Sequence, residues 1–318
     1  MTELANKYKT YRMLSLFRTI VYTEDPANVE YVFETNFANY SKGLYLHEIL
    51  SDYMGDGIFA VDGDKWMHQR KASSSQFSTK VLRDFSSEIF KTNGLKLAGI
   101  IHQAANCSKS IDIQLKKSDF ISRLIETRET DPKYLRDMVF NFIAAGKDTT
   151  TSALSWFMQA SNLTKEALSK MQYLHAALNE TLRLYPAVPM IARGCFSDDT
   201  WPDGHSVRKG ELVIIQPYSM GRMKFIWGDD AEEFRPERWL DGNGYFKEES
   251  PFKFIAFNAG PRICLGRDYS YLQMKIFSAV LFSNYIFNLT HETKVVNYKT
   301  MITLEIDGGL HVHAFPRV

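Results

Sequence analysis

The chain has 318 residues, 45% hydrophobic and 24% charged, the balance of an ordinary globular protein with enough apolar material for a sizeable core. Its 38 basic and 37 acidic residues leave a formal charge of +1, so nothing in the balance calls for nucleic acid or an anionic membrane surface. Three cysteines without CxxC spacing (Cys107, Cys195 and Cys264) argue against a disulfide framework or a cysteine-rich zinc site and fit a reducing compartment.

The N-terminus, MTELANKYKTYR, is polar and lacks the apolar core of a signal peptide; no apolar run reaches the ~18 residues that span a bilayer. Tyr11 to Tyr22, rich in aromatic and aliphatic residues, predicts one or two short strands. Asp25-Pro26 supplies an N-cap and a proline at the first helical position, predicting a helix from Pro26 to about Glu34. Asp62-Gly63-Asp64 reads as a turn, with a helix beginning near Lys65. Asp131-Pro132 repeats the cap and proline, and Leu135, Met138, Val139 and Phe142 follow at helical spacing, so this helix should run to about Gln159. Another spans about Lys165 to Tyr185 and stops before Pro186. A third follows Gly266 through Tyr271, Met274 and Phe277. ELVIIQPY reads as a strand, and MITLEI and LHVHAF as a hairpin about Asp307-Gly308-Gly309. The expected fold is mainly α with small antiparallel β-sheets near both ends, in one domain spanning 1–318 and without repeat, low-complexity segment or linker.

Four stretches carry candidate chemistry. In FNAGPRICLG, Gly260-Pro261 fixes a turn, Gly266 permits close backbone approach, and Cys264 sits just before a helix. The positive helix end and Arg262 would favour a metal-ligating thiolate; a buried inert cysteine is the equal alternative. In NETLRLYP, Glu180 and Arg183 are three apart on one helical face, either as a solvated surface pair or as a buried pair that Arg238 of FRPERW could share. In AAGKDTTTSALSWF, Gly146 and three successive threonines disfavour a helix around the acid–alcohol pair Asp148-Thr149. This suggests a locally opened helix with a ligand groove, against the alternative of a small-residue packing seam. Trp66 and Arg70 of WMHQR share a helical face, as a cation–π pair or as donors to a ligand carboxylate. His68, His175 and His205 lack metal-ligand spacing.

Together and in this order, these motifs resemble a cytochrome P-450, a haem-thiolate monooxygenase. FNAGPRICLG matches the family's haem-binding loop at every fixed position, Phe257, Gly260, Arg262, Cys264 and Gly266. Glu180 and Arg183 match its Glu-x-x-Arg pair, FRPERW the element whose arginine completes that network, Ala145 to Thr149 the oxygen groove, and Trp66 and Arg70 the Trp-x-x-x-Arg propionate contact. GDGIFAVDGDKWMHQRK, HAALNETLRLYPAVP and YSMGRMKFIWGDDAEEFRPERWL are similar in wording to plant long-chain fatty-acid ω-hydroxylases. The resemblance implies haem b with Cys264 as the thiolate ligand to iron, which favours O–O cleavage. It implies propionate contacts from Arg262, Arg70, Trp66 and Arg193, proton delivery by Asp148 and Thr149, and a structural network of Glu180, Arg183 and Arg238. It further implies electrons from NADPH through a cytochrome P-450 reductase, a fatty-acid-like substrate, and the cytosolic face of the endoplasmic reticulum membrane.

The chain is shorter than a usual member of that family. The anchor and proline-rich hinge are absent from the sequence. Only a polar bridge joins Ile111–Gln114 to Asp131–Tyr134, where the family places the helices that roof the substrate pocket, and a second gap lies near Gln159 to Lys165. Without a roof, the distal haem face would be open to water and oriented electrostatics would weaken. Three readings follow: a fatty-acid monooxygenase, a catalytically impaired or inactive haem-binding remnant of the same family, and a globular binding protein whose cysteine is only structural.

Overall fold

The computed structural model describes residues 2–15, 18–74, 77, 87–107, 110–112, 131–160, 171–290, 297–300 and 302–317. Helix α1 (Thr2–Lys7) leads into strands β1 (Thr10–Leu14) and β2 (Thr19–Thr23), an antiparallel pair where the sequence predicts one or two strands. Helix α2 (Pro26–Glu30) starts as expected, because Asp25 accepts a hydrogen bond from the Ala27 N–H at 2.9 Å and Pro26 takes the first position. A π-helical turn, Tyr31–Thr35, extends it to the predicted length. Strand β3 (Tyr40–Ser41) then precedes α3 (Gly43–Met54). The sequence does not announce α3: no side chain caps it, and Leu44, Ile49 and Tyr53 leave it exposed apolar surface instead of a solvated face.

Gly63 opens α4 (Gly63–Ser74) with a φ of +57°, which suits the predicted turn. Helix α5 (Ser87–Asn106), also not foreseen, precedes the short strand β4 (Ile111–Asp112). Helix α6 (Pro132–Ala160) begins where Asp131 accepts from the Lys133 N–H and ends within a residue of the expected end. Helix α7 (Met171–Leu184) stops before Pro186; its predicted start at Lys165 lies outside the described residues.

Next come β5 (Ile191–Cys195), β6 (Asp199–Thr200), β7 (Ser206–Val207), β8 (Leu212–Ile215) and two single-turn helices, α8 (Pro217–Met220) and α9 (Lys224–Trp227). Helix α10 (Arg267–Asn284) begins directly after Gly266 and feeds β9 (Tyr285–Leu289), β10 (Tyr298–Thr300), β11 (Leu304–Ile306) and β12 (His311–Pro316).

Helices dominate, and the sheets are small. The largest has the order β1-β2-β8-β5-β3; its pairs are antiparallel apart from β2 and β8, which run parallel. The predicted hairpin between β11 and β12 is not formed. Gly308 and Gly309 do reverse the chain with φ of +85° and +81°, but β11 pairs with β10 while β12 pairs with β9 and β4. Period-two alternation marks a strand without naming its partner, and partners brought by α10 and α5 take the two edges.

One core joins Val21, Phe33, Tyr40, Val213 and Ile215 beneath the large sheet. A second joins Ala153 and Phe157 of α6, Leu174, Leu178 and Leu182 of α7, and Tyr271 and Met274 of α10. These three packed helices carry the Asp148-Thr149 pair, the Glu180–Arg183 pair and the chain that leaves Cys264. Buried apolar side chains of this size contribute about 1.5–3 kcal/mol each, so their mutual placement is well determined.

Candidate haem-thiolate site

The Cys264 loop is closed by its own backbone. The Cys264 N–H donates to Phe257 O at 2.8 Å, and the Ile263 N–H to Gly260 O at 3.0 Å. Gly260 has a φ of +61°, and a Cβ there would lie 2.0 Å from Phe33 O, so the loop rests directly on the π-helical turn. The Phe257 ring packs on Tyr271 of α10, with centroids 5.1 Å apart. Together these contacts present the Cys264 side chain beyond the loop, open to solvent.

The electrostatics differ from the expectation at this cysteine. Although part of this side chain is accessible, the protein packed around the sulfur raises its thiol pKa; the Gly266 N–H and Arg70 act in the opposite direction. Arg262 is not the cation that acts there. It points to Asp62, with Nη2 donating to Oδ1 at 2.6 Å and to Val61 O at 3.1 Å. The helix end and Arg70 therefore pull toward the thiolate without offsetting the burial that raises the thiol.

Helix α4 grips the loop from the other side. Arg70 Nη1 donates to Ile263 O at 2.6 Å. The ring of Trp66, which is buried, faces the Arg262 guanidinium carbon at 4.5 Å, so the cation–π partner of Trp66 is Arg262 and not Arg70. Arg193 on β5 stands beside this group, only 1% exposed, over the Phe33 ring at 4.7 Å. Nη1 of Arg193 donates to Ala192 O, while its Nε and Nη2, like Nε of Arg262, are buried without a partner. Burial and the neighbouring Arg262 push the Arg193 pKa down to about 9, against the pull of Asp62. The same two arginines and burial push Lys42 down. Three cations thus crowd around one carboxylate, Asp62. An uncompensated buried charge is costly, so the donor set fits an anionic group. A haem, whose propionates are anionic and whose iron takes a thiolate, fits the donors these residues offer.

Helix α6 is not opened. It is continuous through Gly146, against the expectation of a local break, and two threonine hydroxyls bond back to its own carbonyls. Thr149 Oγ1 donates to Ala145 O and Thr151 Oγ1 to Lys147 O at 2.9 Å. Among the described residues nothing lies within 4 Å of a Cβ built at Gly146; the small residues of this stretch that pack are Ser152 and Ala153, both buried. Asp148 is half-exposed, 3.6 Å from Lys147 Nζ.

The Glu180–Arg183 pair is fully buried. Arg183 Nε and Nη2 donate to the two Glu180 oxygens at 2.7 Å each. The Arg235 N–H and Trp239 Nε1 complete the carboxylate, at 2.8 and 2.9 Å. The remaining Arg183 hydrogens go to the carbonyls of Gly221, Ala231 and Glu233. Arg238 reaches Glu180 only at 3.5 Å; its shorter bonds go to Asp230 and to Trp227 O. Sequence reasoning missed Trp239, Asp62 and Ser41, which donates to Asp62. Trp239 was legible in principle, as it directly follows Arg238 in FRPERW.

The histidines have local roles. His68 and His205 are exposed, the latter 3.1 Å from Asp203. His175 packs between Phe246 and Tyr271, and burial lowers its pKa to about 4. Among the described residues, no helix is long and apolar enough to cross a membrane.

Comparison with known proteins places this constellation. The family described as Cytochrome P450 matches residues 157–311, a span that includes Glu180, Arg183, Arg193, Arg238 and the Cys264 loop. A protein named Cytochrome P450 704C1, from Pinus taeda, is 37% identical over 460 aligned positions that take in 100% of this chain and 88% of the relative. Cytochrome P450 704B1 from Arabidopsis thaliana is 33% identical over 93% of this chain and 86% of its own length. Cytochrome P450 CYP94D108 from Paris polyphylla is 31% identical, over 92% and 83%. Since the first alignment holds all 318 residues in 460 positions, about 142 positions have no residue of this chain.

Proposed function

The chain belongs to the cytochrome P450 family, by resemblance a monooxygenase, and on that premise we propose that it binds haem through Cys264 and hydroxylates an aliphatic, fatty-acid-like substrate at or near its ω carbon. When bound, haem would supply the chemistry that puts one atom of dioxygen into a C–H bond and releases the other as water, with two electrons from NADPH through a P450 reductase. The protein's own residues place and charge-match that group.

Cys264 would hold the iron as thiolate. Arg193, Arg262, Arg70 and Trp66 would hold the propionates, with Phe257, Gly260 and Gly266 shaping the loop. Glu180 and Arg183, with Arg238 at the edge, would keep α7 and the 221–239 segment fixed beneath it. Asp148 and Thr149 would hold and pass protons at the Asp148 carboxyl and Thr149 Oγ1: Asp148 has access to water, and the Thr149 hydroxyl is oriented by Ala145 O. The observation that carries the reading is Arg193, a buried guanidinium with two unpartnered nitrogens beside the Cys264 loop. The substrate class rests on the similarity of wording to plant long-chain fatty-acid ω-hydroxylases. Location at the cytosolic face of the endoplasmic reticulum membrane is part of the same proposal.

A second reading is favoured by the alignment. About 142 aligned positions have no residue in this chain; in this reading the loss falls on the pocket-roofing helices between about residues 114 and 131 of a single domain over 1–318. A wet, unroofed site would bind haem but turn over poorly.

The test is the carbon-monoxide difference spectrum of the reduced protein beside Cys264→Ala. A red-shifted thiolate band that disappears in the variant is expected, and fatty-acid turnover then separates the two readings. Absence of any haem band in the wild type would overturn both.

A further inference from the structure

The turn joining α3 to α4 is built against α6. Gly55 caps α3 at φ +57° and ψ −147°, a conformation close to glycine-only, and a Cβ there would sit 2.4 Å from Asp137 Cγ. At Gly57 a Cβ would come within 2.1 Å of Asn141 Nδ2. Two glycines therefore let the loop backbone lie on two α6 side chains.

Those side chains hold what they touch. Asn141 Nδ2 donates to Met54 O and to Asp137 O, both at 2.7 Å. The Asp56 N–H donates to Asp137 Oδ2 at 3.0 Å. Asp137 and Asn141 are both buried. From α4, the fully buried Gln69 donates Nε2 to Asp56 O at 2.7 Å. The Asp56 carboxylate, in turn, is 2.9 Å from Lys65 Nζ of α4. One turn of chain is thus bonded to α6 on one side and to α4 on the other.

The positions of these bonds matter. Asp137, Asn141, Ala145 and Thr149 are spaced by four and form one column along α6. Gln69 lies between Trp66 and Arg70 on α4. We infer that Asp137, Asn141 and Gln69 are positioning residues that fix the axial register of the Asp148-Thr149 pair against the Trp66–Arg70 side of the haem site. The inference rests on the haem-thiolate reading and adds to it what sets the height of α6. A slip of one residue along a helix is 1.5 Å, and a misplacement of that size can cost about 100-fold in rate. The hydrogen bonds from Asn141, Asp137 and Gln69 to this loop oppose such a slip.

The experiment compares the holoprotein with Asn141→Ala, Gly57→Ala, the double variant, and the near-isosteric Gln69→Met. The infrared stretch of carbon monoxide on the reduced haem responds to the polar groups that face it, and amide exchange over residues 141–150 reports α6 itself. All three single variants are expected to keep the thiolate band, yet to shift or broaden the CO stretch and to lose exchange protection in 141–150. The double variant is expected to fall short of additivity, since the Gly57→Ala methyl no longer meets an Asn141 side chain. A change in melting temperature alone, with the CO stretch and exchange of wild type, overturns the inference, as does strict additivity. Should the wild type take up no haem, the function reading fails, and the exchange arm by itself decides whether this grip holds α6.

Discussion

Glu24 offers the sharpest quantitative test of the structure. It is fully buried, neither carboxylate oxygen has a partner, and burial raises its pKa from 4.5 to about 8. Beside it, Tyr11 and Tyr22 stack with centroids 5.0 Å apart, and Glu24 contributes to raising both their pKa values. The acid is therefore protonated in the folded protein at neutral pH and ionised in the unfolded chain. The unfolded state binds fewer protons, so stability is unaffected below pH 4.5 and declines as pH rises from there toward 8. With those two pKa values the loss is about 1 kcal/mol at pH 5, about 3 kcal/mol at pH 7, and close to its limit of about 5 kcal/mol above pH 8. Glu24→Gln keeps the shape and removes the titration. Relative to wild type it is expected to gain those same amounts, read as urea-unfolding free energies at pH 5, 7 and 8. Parallel stability curves for the two proteins across that range would refute the reasoning, because they would mean that the carboxyl is ionised and paired in the folded state.

Two further predictions concern the site. Glu180→Gln removes the counter-charge of a guanidinium that is 0% exposed, and should cost ~3–5 kcal/mol by the same unfolding assay, with loss of haem retention alongside. Arg193→Met should act in opposite directions on the two properties: it removes a buried guanidinium with two unbonded nitrogens and so stabilises the haem-free protein by ~1–4 kcal/mol, while weakening haem uptake in titrations. An Arg193→Met protein that is less stable and binds haem as well as wild type would show that the arginine serves the fold alone.

Local chemistry decided much of the fold. Asp25-Pro26 and Asp131-Pro132 place two helix starts to within a residue, since an N-cap side chain and a proline act on the backbone beside them. Pro186 and Gly266 likewise bound α7 and α10. Cys264 and the Glu180–Arg183 pair stand out in the sequence because their spacing brings them together within one loop or one helical turn.

Only the tertiary structure could decide the rest, because its partners are distant in the chain. Alternation in 304–306 and 311–316 marks two strands, yet β9 and β10 claim them. Arg262 stands two residues from Cys264 but is drawn to Asp62, 200 positions away, while Arg70 acts on the thiol. The run of three threonines, weak helix formers in isolation, is held in helix by α7 and α10 packed on Ala153 and Phe157. Nothing in the sequence singles out Glu24, and only the tertiary structure shows it as a buried acid. Propensity and spacing act over a few residues; burial is settled by whichever distant elements arrive to cover a side chain.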